Sequence, residues 1–151
     1  MPDDTLDLTI ERRFGVPPEA AYRAWTQHMT EWFTPPPWKT AEVELDLRPG
    51  GRFRSRMLGP DGEDMDHTGV FLEVVTNERL VWTDAFAPGW QPQSPFMVAI
   101  TEFIVDGDGT LYRATARHWT AAACDQHRTL GFEQGWGKVA EQLEAVARRI
   151  A

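Results

Sequence analysis

Residues 120–151 read TAAACDQHRTLGFEQGWGKVAEQLEAVARRIA. Within this stretch Phe132, Trp136, Val139, Leu143, Val146 and Ile150 recur at intervals of four, three, four, three and four, which draws one apolar stripe along a helix face. Thr120 is a suitable N-cap, so the spacing predicts a single helix from about Ala121 to Arg149, roughly 40 Å long at 1.5 Å per residue. A stripe of that length has to be covered, and a sheet is the surface able to cover it. Gly131, Gly135 and Gly137 fall inside this span, each costing about 1 kcal/mol relative to alanine in a helix interior. They read either as close packing of the helix on a curved sheet or as room for a ligand between helix and sheet.

The sheet is legible upstream. Lys39 to Leu47 sets Val43, Leu45 and Leu47 against Glu42, Glu44 and Asp46, and Arg52 to Leu58 sets Phe53, Ser55 and Met57 against Arg52, Arg54 and Arg56. Arg48-Pro49-Gly50-Gly51 turns the chain between these strands, and Gly59-Pro60-Asp61-Gly62 turns it after them. His67 to Val75 and Arg79 to Phe86 make a second pair. Phe96 to Val105 and Thr110 to Trp119 flank Asp106-Gly107-Asp108-Gly109, a hairpin turn by composition. Thr5 to Phe14 reads as an opening strand, and Ala87 to Pro95 as a proline-stiffened loop. Val16-Pro17-Pro18-Glu19 starts a helix. Tyr22, Trp25, Met29, Trp32 and Phe33 then recur at helical spacing, until Thr34-Pro35-Pro36-Pro37 ends the element. The order is strand, one or two short helices, six strands, one long helix: an α+β chain with seven strands arranged as a meander.

The 151 residues suffice for one domain, and 42% apolar content supports a core. Fifteen basic against 23 acidic residues leave a net charge of −8, which argues against nucleic acid or an anionic membrane as partner. The single cysteine, Cys124, excludes an intramolecular disulfide and any CxxC metal or redox site. The opening MPDDTLDLT does not read as a signal peptide, and no apolar run approaches the roughly 20 residues that span a bilayer. The reading is of a soluble cytoplasmic protein. Seven tryptophans and eight phenylalanines are many for this length, and they serve either a ring-built core or an aromatic pocket.

Four stretches, in order along the chain, carry a family resemblance. They are Val16-Pro17-Pro18-Glu19-Ala20-Ala21-Tyr22 with Trp25 and Trp32-Phe33; Leu47-Arg48-Pro49-Gly50-Gly51-Arg52-Phe53; Gly69-Val70-Phe71-Leu72-Glu73-Val74 with Glu78-Arg79-Leu80-Val81; and Gly135-Trp136 with Leu143. The chain resembles the SRPBCC (START-like) superfamily, in the branch named after the activator of the ninety-kilodalton heat-shock protein's ATPase. The resemblance implies a helix-grip fold over residues 1–151: a curved seven-stranded antiparallel sheet, two short helices and one long C-terminal helix enclosing a cavity. Relatives in the superfamily include lipid carriers, hormone receptors, cyclases and a co-chaperone module, so the fold does not name an activity.

Motifs for catalysis are absent: no GxSxG elbow, no P-loop, no GxGxxG. His28, His67, His118 and His127 are scattered without metal-ligand spacing, and neither a metal nor a cofactor is expected. Cys124, near the start of the last predicted helix, reads either as a packed side chain or as a thiol activated by the helix dipole. If the ring-bearing faces line a cavity, Trp25, Trp32, Phe33, Trp38 and Phe53 wall it from the first half of the chain. Met57, Phe71, Trp82, Phe86, Trp90, Phe132 and Trp136 complete the wall. Trp38 and Trp90, each in a proline-stiffened loop, are predicted at its mouth. His67, Asp84 and His118 lie among apolar neighbours on their strands and would point inward, as acid–base groups or as anchors for a ligand's polar end. The alternative is that they are hydrogen-bonded at the sheet's rim.

Three functions follow. The first is a binding module whose cavity holds an apolar or aromatic small molecule. The second is an enzyme of the cyclase or hydrolase kind that uses His67, Asp84 or His118. The third is an interaction module, self-associating as a homodimer or docking to a chaperone.

Overall fold

Alternating strands in the middle of the chain and an apolar-striped helix at its end produce the architecture seen in the computed structural model, which describes residues 6–151. Thr5, the predicted start of the first strand, and most of the acidic opening read as no signal peptide lie outside the described residues. The strands are β1 (Asp7–Phe14), β2 (Lys39–Leu45), β3 (Arg52–Leu58), β4 (Asp64–Val75), β5 (Arg79–Thr83), β6 (Phe86–Ala87), β7 (Gln91–Pro92), β8 (Met97–Asp106) and β9 (Gly109–His118). Seven of them form one antiparallel sheet in the order β1-β9-β8-β5-β4-β3-β2. This is the meander read from the sequence, with β1 returning to pair β9. The predicted loop at residues 87–95 instead contains a two-residue ladder, β6 against β7, and Phe86 belongs to it rather than to β5.

The two sheet faces differ as the alternation predicts. On β3, Phe53 and Ser55 are buried while Arg52, Arg54 and Arg56 point the other way. There they meet acids of the neighbouring strands: Arg54 with Asp66 at 2.7 Å, and Arg56 with Asp64 and Glu42 at 2.8 Å each. Two bulges bend the sheet, one between Thr40 and Glu42 and one between Phe71 and Glu73. The second inserts Leu72, so the inward positions on β4 run His67, Gly69, Phe71 and then Val74 rather than Glu73. Gly69 is dictated by close approach: a Cβ there would sit 2.2 Å from the carbonyl oxygen of Thr83.

Helix α1 (Pro18–Gln27) begins at the predicted prolines but stops well before the second proline group. A 3-10 turn (Met29–Glu31) follows it. Trp32 folds back and donates its indole N–H to the carbonyl of Ala24 at 3.1 Å, closing the end of α1.

The C-terminal segment departs from expectation. It forms two helices, α2 (Ala121–Thr129) and α3 (Phe132–Ile150). Thr120 caps α2 as predicted, its hydroxyl accepting from the Ala123 amide at 3.1 Å. The break falls at Gly131, which adopts φ 96°, a left-handed conformation that glycine enters without a Cβ penalty. The apolar stripe begins only at Phe132, so it does not require helix before that residue.

Helix α3 docks on α1 and β1. Ala140, Leu143, Val146 and Ala147 are buried in that contact, whereas Trp136 and Val139 of the predicted docking face are only partly buried. Glu144 is buried beside them. Burial alone would raise its carboxyl pKa, but hydrogen bonds from Arg12, the Gly15 amide and Arg148 outweigh burial and hold it below the usual range. Phe14, Trp25, Trp32, Phe71, Phe103, Tyr112 and Leu143 form the centre of the core. Among the described residues no helix is long and apolar enough to cross a membrane.

Candidate functional site

Where α3 lifts away from the sheet, a cleft of about 660 Å³ opens between Trp136, Val139 and Gly135 on the helix and the concave face of β3, β5, β8 and β9. Gly135 keeps this side open. A Cβ built there would meet nothing within 4 Å, so the close-packing reading of this glycine does not hold. The same is true of Gly137.

Ten of the side chains predicted to line a cavity border this cleft. Trp25, Trp32, Phe33, Trp38 and Phe53 do so from the N-terminal half, and Met57, His67, Trp82, Asp84 and Trp136 from the rest. Their rings are mutually braced. Phe53 stacks on Trp82 with centroids 4.4 Å apart, and Trp25 meets Trp32 at 5.6 Å and Phe53 at 6.0 Å.

The other five lie elsewhere, each for a visible reason. Phe71 is fully buried behind Trp25 and Phe53. Phe86 and Trp90 pack on each other in the β6–β7 hairpin. The Trp90 ring covers Gly50 in the β2–β3 turn and remains 55% exposed, so it does not guard the mouth. His118 and Phe132 are covered by α2. His127, from that helix, sits 5.1 Å from each of their rings and packs against both.

The polar groups fall into two sets. At the cleft, Asp84 Oδ1 accepts from the backbone amides of Phe96 and Met97 at 2.9 and 3.2 Å, fixing the start of β8. His67 is exposed at the rim, opposite Ser55 in register. Buried hydroxyls line the floor, from Ser55, Thr101 and Tyr112. Burial pushes the Tyr112 hydroxyl pKa up, opposed by hydrogen bonds with Trp25 and Thr101. Sequence reading did not nominate this floor as part of the site, although Ser55 between Phe53 and Met57 and Tyr112 on the face of Ala114 both carried the signal.

Away from the cleft, His118 Nδ1 lies 2.9 Å from the carbonyl of Leu6 and its Nε2 lies 2.9 Å from His127 Nδ1. A carbonyl only accepts, so His118 Nδ1 carries the proton. The two imidazoles thus share one hydrogen bond between His118 Nε2 and His127 Nδ1. Burial, reinforced by the charge of His118, pulls the pKa of His127 down to about 4. Elsewhere, His28 meets Glu31 at 2.6 Å. Among the described residues no three acidic, histidine or cysteine side chains converge as a metal site. Cys124 is fully buried in α2.

Residues 15–148 match the family described as Activator of Hsp90 ATPase homolog 1-like protein. The chain belongs to this family. A crystal structure of a protein from Nitrosomonas europaea is 37% identical to it, with a TM-score of 0.94 over 98% of this chain and 97% of that one. A Mycobacterium smegmatis protein is 25% identical, with a TM-score of 0.79 over 95% and 91%. The AHSA1-like protein from Aeromonas hydrophila, 22% identical with a TM-score of 0.72 over 95% and 93%, shares the fold. No curated protein matches.

Proposed function

We propose that this family member binds an apolar or aromatic small molecule in the cleft between α3 and the sheet and does no chemistry on it. One observation carries the reading: three half-buried tryptophans, Trp38, Trp82 and Trp136, border a volume of about 660 Å³ rather than filling it, backed by the buried core rings of Trp25 and Trp32. Protein interiors are close-packed, so large rings left facing open space are a departure from core packing. The volume lies inside the range of small-molecule pockets, about 300–1,000 Å³. Burying ~450 Å² of apolar ligand surface at about 25 cal/mol per Å² gains roughly 11 kcal/mol; an association cost of about 4 kcal/mol leaves about 7 kcal/mol, a Kd on the order of 10 μM.

Titration of the folded protein with the neutral probe N-phenyl-1-naphthylamine tests this. One-to-one saturable binding with quenching of tryptophan emission is expected, and Trp38→Ala should speed probe release. Absence of saturable binding up to the probe's solubility limit would refute the reading.

A second reading rests on His67 and Asp84 bordering the same cleft. An acid–base enzyme would show a substrate whose turnover falls by orders of magnitude in His67→Gln or Asp84→Asn. His118, covered by α2, takes no part in it.

A further inference from the structure

The charge distribution around the cleft narrows the ligand further, on the footing that the cleft is the binding site. No lysine or arginine is among the residues that border it. Strand β3, which lines the cleft through Phe53, Ser55 and Met57, turns Arg54 and Arg56 to the opposite face, where Arg56 is held by Asp64 and Glu42 and Arg54 by Asp66, a second acid at the cleft border whose two carboxylate oxygens are both taken by that pair. A carboxylate or phosphate entering the cleft would leave water and find no lysine or arginine to pair with, a costly transfer.

Asp84 is the opposite case. Its Oδ1 is occupied by the two backbone amides that start β8, while its Oδ2 has no hydrogen-bond partner among the described residues. The neighbouring loop is pinned as well, because Gln93 donates to the carbonyls of Asp84 and Thr68 at 3.1 and 2.9 Å. The structural duty of Asp84 therefore accounts for one carboxylate oxygen and leaves the other on a rigidly held side chain at the edge of an aromatic cleft. Aromatic faces add their own attraction for cations, and the chain's net charge of −8 steers cations toward it.

We infer that the cleft selects amines with an aromatic body, seated with the ammonium at Asp84, over carboxylates of the same shape.

Three probes with one ring system test this on the full chain: 1-naphthylmethylamine, 1-naphthylmethanol and 1-naphthoic acid. The amine should bind at least tenfold tighter than the acid, with the alcohol between them. Raising the salt from 50 to 500 mM should narrow that gap by screening. Asp84→Asn keeps an oxygen for the two amides, so the loop holds. It should weaken the amine at least fivefold and leave the alcohol within twofold.

An acid that binds as well as the amine, with the alcohol also bound, would overturn the selectivity and leave the cleft reading standing. An amine preference that survives Asp84→Asn would overturn the assignment to Asp84. Failure of all three probes to bind would overturn both the selectivity and the cleft reading.

Discussion

Gly135→Leu separates the stability of the protein from the capacity of its cleft. The residue lies in the first turn of α3, its amide bonded to the Gly131 carbonyl at 2.8 Å, and a Cβ there meets nothing within 4 Å. Leucine is a strong helix former and glycine a poor one, by about 0.8–1.0 kcal/mol. No neighbour stands where the new side chain begins, so the variant should be more stable by about 0.5–1 kcal/mol, with Tm raised by roughly 1–4 °C. Ligand binding should move the opposite way. The leucine takes space from a cleft of about 660 Å³. At about 0.8 kcal/mol per methylene excluded from burial, displacing two such groups costs ~1.6 kcal/mol, a little over tenfold in Kd. Urea melts and naphthylamine titrations on Gly135→Leu and Gly135→Ala read both quantities, and the alanine variant should gain stability while retaining binding. A loss of stability beyond 1 kcal/mol would show that the position is packed. Unchanged affinity in folded Gly135→Leu would place the probe elsewhere.

Leu143 is fully buried in the α1–α3 contact whereas Trp136 is only partly buried beside the cleft, so Leu143→Ala should cost about 2–5 kcal/mol and Trp136→Ala less. Urea melts giving the reverse order would contradict the docking face. His127, with its pKa pulled down from 6.5 to about 4, is neutral in the fold over a range where the unfolded imidazole is protonated. Stability should therefore fall as pH drops from about 6.5 and level off near 4, by about 1–2 kcal/mol once solvent screening of the half-buried ring is allowed for. His127→Gln should remove that part of the slope, and melts at pH 4–7 with the same slope as the native chain would refute the assignment.

The strands were legible because alternation is enforced locally: a charged residue at every second position of β3 leaves its face no choice. The same logic placed Phe53, Met57 and Trp82 at the cleft. What escaped was the consequence of one residue. Gly131 sits in a sequence that is helical on both sides, and nothing local says that its backbone turns left-handed. That turn frees α2 to fold over the end of β9, where His127 covers His118 and Phe132. Trp38 and Trp90 make a matching point. Both lie among prolines, yet one borders the cleft while the other packs on Phe86 and Gly50, because tertiary contacts of the β2–β3 turn decide where the second loop lies.

The central claim meets its most direct test in the seven indole N–H resonances of the ¹⁵N-labelled protein, followed as N-phenyl-1-naphthylamine is added. The cleft reading predicts saturable shifts at Trp38, Trp82 and Trp136, accompanied by Trp25 and Trp32, with Trp90 and Trp119 unmoved. Shifts confined to the exposed Trp90 and Trp119, or the absence of saturation at the cleft tryptophans, would contradict it.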